Sequence, residues 1–213
     1  YVRKERAHSD GQPEESARYA ANGSTQIEGL DHGDTYSSTA FMVSLKVDEA
    51  RAAQDPSIIR EIWDIEGAYY RATPTRRQFV RPPPGYERVD NLGRELMWRL
   101  NKCMPGTKDA GHEFGEQFAA RLRLFPGLVV NRSDAAVFHV TRGRHWVNLK
   151  CHVDDIAVHG SSQRLIDRLF DHVGLGTPKF PLKREVGIKL MLGIRCTRRA
   201  DGGLEFDQQD LLD

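Results

Sequence analysis

Apolar and polar residues alternate along Val147-Asn148-Leu149-Lys150-Cys151, the alternation breaks at Asp154-Asp155, and Ile156 and Val158 resume it. A period of two on both sides of a short polar break predicts a β-hairpin over 145–160 with a carboxylate pair at its tip. Other stretches follow a helical period. Residues 42–54 predict a helix ending before Pro56, although Asp48, Glu49 and Arg51 interrupt its apolar positions. Residues 112–124 predict a second helix, with Phe114, Phe118 and Leu122 on one stripe and Pro126-Gly127 as its stop. Residues 162–173 predict a third. Ser161 or Ser162 caps it, Leu165, Ile166, Leu169, Phe170 and Val173 make its core face, and Gly174 ends it. Strands are predicted at 58–66, where Ile58, Ile62, Trp63 and Ile65 lead to Asp64 near the end, and at 188–196. Residues 73–88 hold four prolines and no helical period, and Pro82-Pro83-Pro84-Gly85 reads as an extended stretch followed by a turn. Residues 1–40 are polar and read as loosely packed strands and loops.

In order, the C-terminal two thirds is β-α-β-β-α-β, an α+β pattern of the ferredoxin-like kind: an antiparallel sheet with helices on one face. In that arrangement the first and third strands are antiparallel neighbours. Asp64, at the end of strand one, then lies beside Asp154 and Asp155, 90 residues further on (154 − 64), at the start of strand three. Adjacent anions repel, so three carboxylates at one sheet edge call for a compensating charge, and a divalent metal is the usual one. Asp is also a good turn residue, so Asp154-Asp155 taken alone favours an ordinary turn.

Composition narrows the class without deciding it. The chain has 213 residues, 39% hydrophobic and 29% charged, which suits a globular protein with a modest core. No apolar run is long enough to span a bilayer, so no membrane partner is expected. The chain begins Tyr1-Val2-Arg3 without an initiator Met, which predicts a fragment of a longer polypeptide. Cys103, Cys151 and Cys196 are scattered and odd in number, giving neither a disulfide framework nor a zinc site and predicting a reducing, intracellular setting. Net charge is +1, so there is no global basic excess for gripping nucleic acid. Local clusters (Arg71, Arg76, Arg77 and Arg81; Lys179, Lys183, Arg184 and Lys189; Arg195, Arg198 and Arg199) permit a phosphate groove and equally fit solvated faces.

An ordered set of segments then resembles one family over nearly the whole chain. The set runs Ala17-Arg18-Tyr19, Gly23, Thr25-Gln26, Gly29-Leu30-Asp31 and Thr35-Tyr36-Ser37, then Trp63-Asp64-Ile65-Glu66-Gly67-Ala68-Tyr69. It continues with Arg81-Pro82-Pro83-Pro84-Gly85-Tyr86-Glu87, Gly106-Thr107-Lys108-Asp109-Ala110, Ser133-Asp134, Val137-Phe138, Val153-Asp154-Asp155 and Leu192-Gly193-Ile194. In order and spacing it resembles the reverse transcriptase domain of copia-type LTR retrotransposons. The resemblance implies a right-hand polymerase palm plus a fingers region. Fingers are expected over 1–57, the first palm strand at 58–66, a fingers insertion and connection over 67–107, and palm with a primer-contacting strand over 108–213. Thumb and RNase H are expected outside this stretch.

The resemblance also implies roles. Asp64 and Asp154 would bridge two Mg²⁺ ions (Mn²⁺ as a substitute), Asp155 would complete the site, and the Ile65 carbonyl would add a ligand, as two-metal nucleotidyl transfer onto a primer 3′-hydroxyl requires. Lys183 would protonate pyrophosphate. Arg18 would contact the incoming triphosphate, Tyr69 would exclude a 2′-hydroxyl, and Gly106 and Lys108 would flank the nucleotide and template. His152, Leu192 and Gly193 would touch the primer end. The implied partners are an RNA or DNA template with primer, deoxynucleoside triphosphates, and the integrase and RNase H of a polyprotein. The implied location is a cytoplasmic virus-like particle or the nucleus.

The chain departs from the family pattern at several places. His152 stands where the family has Tyr or Phe, Ser16 and Asn22 replace basic residues, Pro105 replaces a tyrosine, and Gly111 replaces a proline. Asp48, Glu49 and Arg51 occupy apolar helix positions, where burying them unpaired would cost several kcal/mol each and weaken the fold. Two further readings stay open: a catalytically inactive, polymerase-like nucleic-acid-binding remnant, and an unrelated ferredoxin-like domain.

Overall fold

The computed structural model describes residues 2–7, 13–188, 190–191 and 194–208, with the backbone alone for 2–7, 13–18 and 190. The chain divides into two compact units: residues 1–36 with 69–114, and residues 37–68 with 115–213. The strands, in chain order, are β1 (Val2–Ala7), β2 (Pro13–Arg18), β3 (Ile59–Ile65), β4 (Phe79–Val80), β5 (Trp98–Arg99), β6 (Leu128–Val130), β7 (Val137–Arg142), β8 (His145–His152), β9 (Asp155–Gly160), β10 (Leu182–Val186), β11 (Leu190–Met191), β12 (Ile194–Arg198) and β13 (Leu204–Asp207). The helices are α1 (Met42–Gln54), α2 (Ala68–Arg71), α3 (Ala110–Arg123) and α4 (Gln163–Leu175).

The second unit is built on an antiparallel sheet whose strand order, among the described residues, is β10-β3-β9-β8-β7-β6. Period-two patterning made this sheet. Val147, Leu149, Ile156 and Val158 are fully buried, as alternation requires when one face meets a core. The face that carries Trp63 meets α4, where Phe170 packs edge-on against the indole at 5.2 Å. α3 runs beside α4, its Arg121 donating to the His172 carbonyl.

The opposite face meets α1, so helices cover both faces and not one as expected. Leu45 of α1 packs there with Ala157, Ile188 and Met191. The start of α1 is held by Asp134, which accepts hydrogen bonds from Phe41 N (2.9 Å) and Ser44 Oγ (2.6 Å).

Three sequence expectations need correction. The strand beside β3 is β10, not 188–196. That stretch supplies β11 and the start of β12, which belong to a separate sheet of order β11-β12-β13. β6 and β7 were not expected, because their short apolar runs carry no turn-bounded alternation of their own. α4 continues through Gly174 to Leu175 and ends at Gly176, while Ser162 sits at its N-cap without a side-chain cap bond. The Ser161 hydroxyl instead accepts from Trp146 N at 3.0 Å.

The first unit contains the β1–β2 hairpin and the β4–β5 pair. Its segments 21–26 and 103–108 touch backbone to backbone, with Ala21 N donating to Pro105 O at 2.7 Å. Gly106 has φ +91°, and a Cβ there would overlap the Ala21 carbonyl oxygen. Gly106→Ala is therefore expected to destabilise the chain by about 1–3 kcal/mol from backbone strain alone, read as a lowered melting temperature.

Candidate active site

Antiparallel register sets four of the expected site residues in one row. Lys183 on β10 pairs with Asp64 on β3, Asp64 with Asp155 on β9, and Asp155 with His152 on β8. Directly opposed residues leave a sheet on the same face, so the row lies on one side at one end of the sheet. Asp154 sits in the two-residue turn between β8 and β9. Its carbonyl accepts from Ile65 N at 2.9 Å, which carries the β3–β9 ladder into the turn. Val153, the other turn residue, has φ 53°. A β-branched residue in the left-handed region stores about 1–3 kcal/mol of strain, a cost that concentrates at functional turns.

The electrostatics follow from this convergence. Burial, and then the charges of Asp154 and Asp64, push the Asp155 carboxyl from its ordinary 3.8 up to about 6. Burial also draws His152 below its ordinary value, against the pull of Asp154, and its Nδ1 is buried without a hydrogen-bond partner. Lys183 Nζ lies 2.8 Å from Glu66 Oε1, a partner the sequence had not singled out.

Among the described residues no group of three or more His, Cys, Asp or Glu is drawn together closely enough to hold a metal ion. Register aligns Asp64 with Asp155, and Asp154 sits beside them in the turn, without a finished ligand cage. The donor chemistry of the three nonetheless fits a hard cation. Carboxylate oxygens are what Mg²⁺ takes, and the mutual repulsion that raises Asp155 is what such a cation relieves.

The remaining expected site residues fall elsewhere. Ile65 is the buried last residue of β3. Tyr69, Gly106 and Lys108 belong to the first unit. Tyr69 meets Phe114 edge-on with ring centroids 6.2 Å apart, and Lys108 donates both its backbone N–H and its Nζ to Gln26, each at 2.8 Å. Arg18 closes β2, its side chain outside the described set, and Leu192 and Gly193 lie outside the described residues.

One cluster behind the row overturns an expectation. Asp48 and Glu49 are buried, yet neither is unpaired. Asp48 is bonded by the Lys150 ammonium and, at 2.8 Å, by Asn148 Nδ2. Glu49 takes Arg60 at 2.6 Å and His159 Nε2 at 2.9 Å. His159 Nδ1 lies 3.1 Å from Lys150 Nζ. An ammonium has only donors, so Nδ1 accepts and Nε2–H donates to Glu49, which describes a neutral imidazole. Arg51 adds a bond to Asp48 at 3.2 Å and lies over the Trp146 ring at 4.7 Å. Two buried carboxylates thus face the buried Lys150 ammonium and the partly buried Arg60 guanidinium, and the charged positions of α1 match the polar positions of β8, β9 and β3. The available signal was that complementarity, acids on the helix and bases on the sheet.

Comparison with known proteins decides the family. Residues 1–213, the entire chain, match the family described as reverse transcriptase (RNA-dependent DNA polymerase). The chain belongs to this family. It is 28% identical over 193 residues to the retrovirus-related Pol polyprotein from transposon RE2 of Arabidopsis thaliana, covering 91% of this chain and 13% of that polyprotein. The same identity and coverage hold for the Pol polyprotein from transposon RE1 of the same plant. The reverse transcriptase resemblance therefore stands at the level of the family. It spans only 13% of the length of these curated relatives. No described helix is long and apolar enough to cross a membrane.

Proposed function

We propose that the second unit is the ferredoxin-like palm of this reverse transcriptase domain and that Asp64, Asp154 and Asp155 are its metal ligands for nucleotidyl transfer. The observation that carries the reading is the cross-strand pairing of Asp64 with Asp155, next to a strained turn that presents Asp154. The order β10-β3-β9-β8, with every pair antiparallel, supports the palm assignment. The first unit, on this reading, supplies the fingers.

Two Mg²⁺ ions held by the three carboxylates, with the Ile65 carbonyl as an added ligand, would supply charge neutralisation at the entering and leaving oxygens. The protein's own part is placement. Asp64 is fixed by hydrogen-bonded neighbours on both sides, and Asp154 by the ladder from Ile65. Lys183, opposite Asp64 in register, is the candidate proton donor to pyrophosphate through Nζ. His152, next in the row, is the candidate support for the primer end. From the resemblance, contacts to the deoxynucleotide are assigned to Arg18, Tyr69, Gly106 and Lys108, and further primer contacts to Leu192 and Gly193. Template, primer, deoxynucleotides and the other polyprotein domains are the proposed partners, in a virus-like particle or the nucleus.

Primer extension tests this. A primed RNA template with deoxynucleotides and Mg²⁺ or Mn²⁺ should be extended by the polyprotein segment that contains this chain and not by its Asp154→Asn variant. A folded parent that extends no further than Asp154→Asn, with either metal, would leave the inactive-remnant reading in its place. One support for that reading has gone, since the charges in α1 are paired.

A further inference from the structure

β10 is the edge strand of the described sheet, with β3 on its inner side, and residues 183–186 are exposed. An edge strand held by one ladder is the part of a sheet most able to fray or slip in register. Yet β10 carries Lys183 opposite Asp64, and a slip of one residue would turn Lys183 to the other face. The ion pair of Lys183 with Glu66 is a weak anchor, since the two side chains are 70% and 43% exposed.

A stronger anchor lies on the opposite face, at the next residue. Arg184 pairs in register with Trp63, on the face that meets α4. Its Nε donates to Glu61 Oε2 on β3 at 3.1 Å, and a terminal nitrogen donates to Asp167 Oδ1 on α4 at 2.7 Å. The guanidinium carbon stands 4.8 Å from the centroid of the Phe170 ring, also on α4. Glu61 is buried, and it accepts as well from the Trp63 indole and from Gln163 Nε2, each at 2.9 Å. Gln163 reaches Asp167 too, at 3.0 Å. One guanidinium thus closes a network over two strands and a helix. Its planar fork spans two carboxylates at once, which the point charge of a lysine does not. A slipped β10 would leave Glu61 buried and parted from its cation, a heavily penalised state. Arg184 therefore selects one register, and that register fixes Lys183.

We propose that Arg184 is a positioning residue for nucleotidyl transfer, clamping β10 to Glu61 and Asp167 so that Lys183 stands opposite Asp64. The proposal rests on the polymerase reading, in which Lys183 gives a proton from Nζ to the leaving pyrophosphate.

Single-turnover primer extension by the polyprotein segment tests it, with the parent, Lys183→Met, Arg184→Gln and the double variant. Lys183→Met is expected to be slowed by about 100-fold, the usual worth of a general acid. Arg184→Gln, which leaves that acid in place but loosely held, should be slowed by about ten-fold or more, with KM for the deoxynucleotide within about two-fold of the parent. The double variant should be no slower than Lys183→Met, because Arg184 acts through Lys183. A deoxynucleotide with a difluoromethylene group in place of its β,γ-bridging oxygen has a less basic leaving group and needs less proton assistance, so it should shrink both losses. Arg184→Lys keeps a cation beside Glu61 without the fork; it should fold and still lose several-fold in rate. Amide hydrogen exchange at β10 should quicken in both Arg184 variants and stay unchanged at β8 and β9.

Folded Arg184 variants as fast as the parent overturn the proposal. So does a double variant slowed by the product of the two single losses, since Arg184 would then act apart from Lys183, and so does a loss carried by KM alone. If Arg184→Gln fails to fold, Arg184→Lys decides through the same cycle. The proposal and the reading beneath it fail differently. Lys183→Met as fast as its parent overturns the proton-donor reading and the proposal with it, whereas a slow Lys183→Met beside fast Arg184 variants overturns the proposal alone.

Discussion

Asp155→Asn is expected to lower primer extension by at least about a thousand-fold while raising thermal stability at neutral pH. On the proposed reading the loss follows from removing one of the three carboxylates assigned to the metals, worth several kcal/mol in the transition state, at about 1.4 kcal/mol for each factor of ten. The gain follows from the site's own strain. In the absence of metal, the Asp155 carboxylate is disfavoured by burial and by Asp154 and Asp64, and the neutral amide avoids that penalty at similar size. Opposite signs for activity and stability are what a site built for function produces. Mg²⁺ should raise the melting temperature of the parent chain, because it binds only the folded ligand set, and should do so much less in Asp155→Asn. Calorimetry with and without Mg²⁺, beside the extension assay, reads both effects. A variant that is inactive and less stable than its parent would assign Asp155 a structural part instead.

Lys150→Met is expected to cost about 3–5 kcal/mol, the usual penalty for leaving a buried charge without its partner. Asp48, accepting from Lys150 and Asn148, would be the charge left behind. The double variant Asp48→Leu with Lys150→Met should recover most of the loss, since replacing both members of a buried pair by apolar groups is often neutral. Chemical denaturation of the three variants and the parent closes that cycle.

The same cluster predicts sensitivity to acid. Burial raises Asp48, but Lys150 and Asn148 outweigh it and hold the carboxyl below its ordinary 3.8. Burial likewise raises Glu49, and His159 and Arg60 hold it below its ordinary 4.5. Carboxylates depressed in the folded state contribute stability that is present above their unfolded values and lost as pH falls through the folded ones. His159 is drawn below its ordinary 6.5, chiefly by burial, so the unfolded chain binds its proton first and stability declines as pH drops below 6.5. Both terms have the same sign. Protonating Asp155, raised to about 6, adds stability over the same range, so the decline is read in Asp155→Asn: there the melting temperature should fall from pH 7 toward pH 4, and adding His159→Gln should remove the upper part of that decline.

The local elements were largely legible because period and punctuation act on neighbouring residues. The hairpin at 145–160, the strand through Asp64 and the helices through Leu45, Phe118 and Leu169 all form within a residue or two of where the pattern put them. The boundary errors have local causes. Gly174 is tolerated inside α4, where no bulky neighbour or unusual φ is imposed on it, and the break at 187 ended one strand and let the next join another sheet. The nearness of Asp64 to Asp154 and Asp155 was also legible, because β-α-β-β-α-β order leaves few ways to pair the strands.

α1 was misread for a reason that no local rule repairs. Asp48 and Glu49 looked like damage because a helix window contains none of their partners. Those partners, Lys150, His159 and Arg60, stand 102, 110 and 11 positions away and meet α1 only once the sheet exists. Trp98, which the local pattern did not single out, likewise meets the Tyr86 ring only in the fold, with ring centroids 6.2 Å apart. The sequence by itself determined the hairpin at 145–160, the strand through Asp64, the three long helices and the three acidic residues, since these depend on steric preference and periodicity over a few residues. Tertiary structure alone decided which buried charges are matched and which exposed rings share a surface, because a Coulomb or stacking energy depends on distance in space and not on separation along the chain.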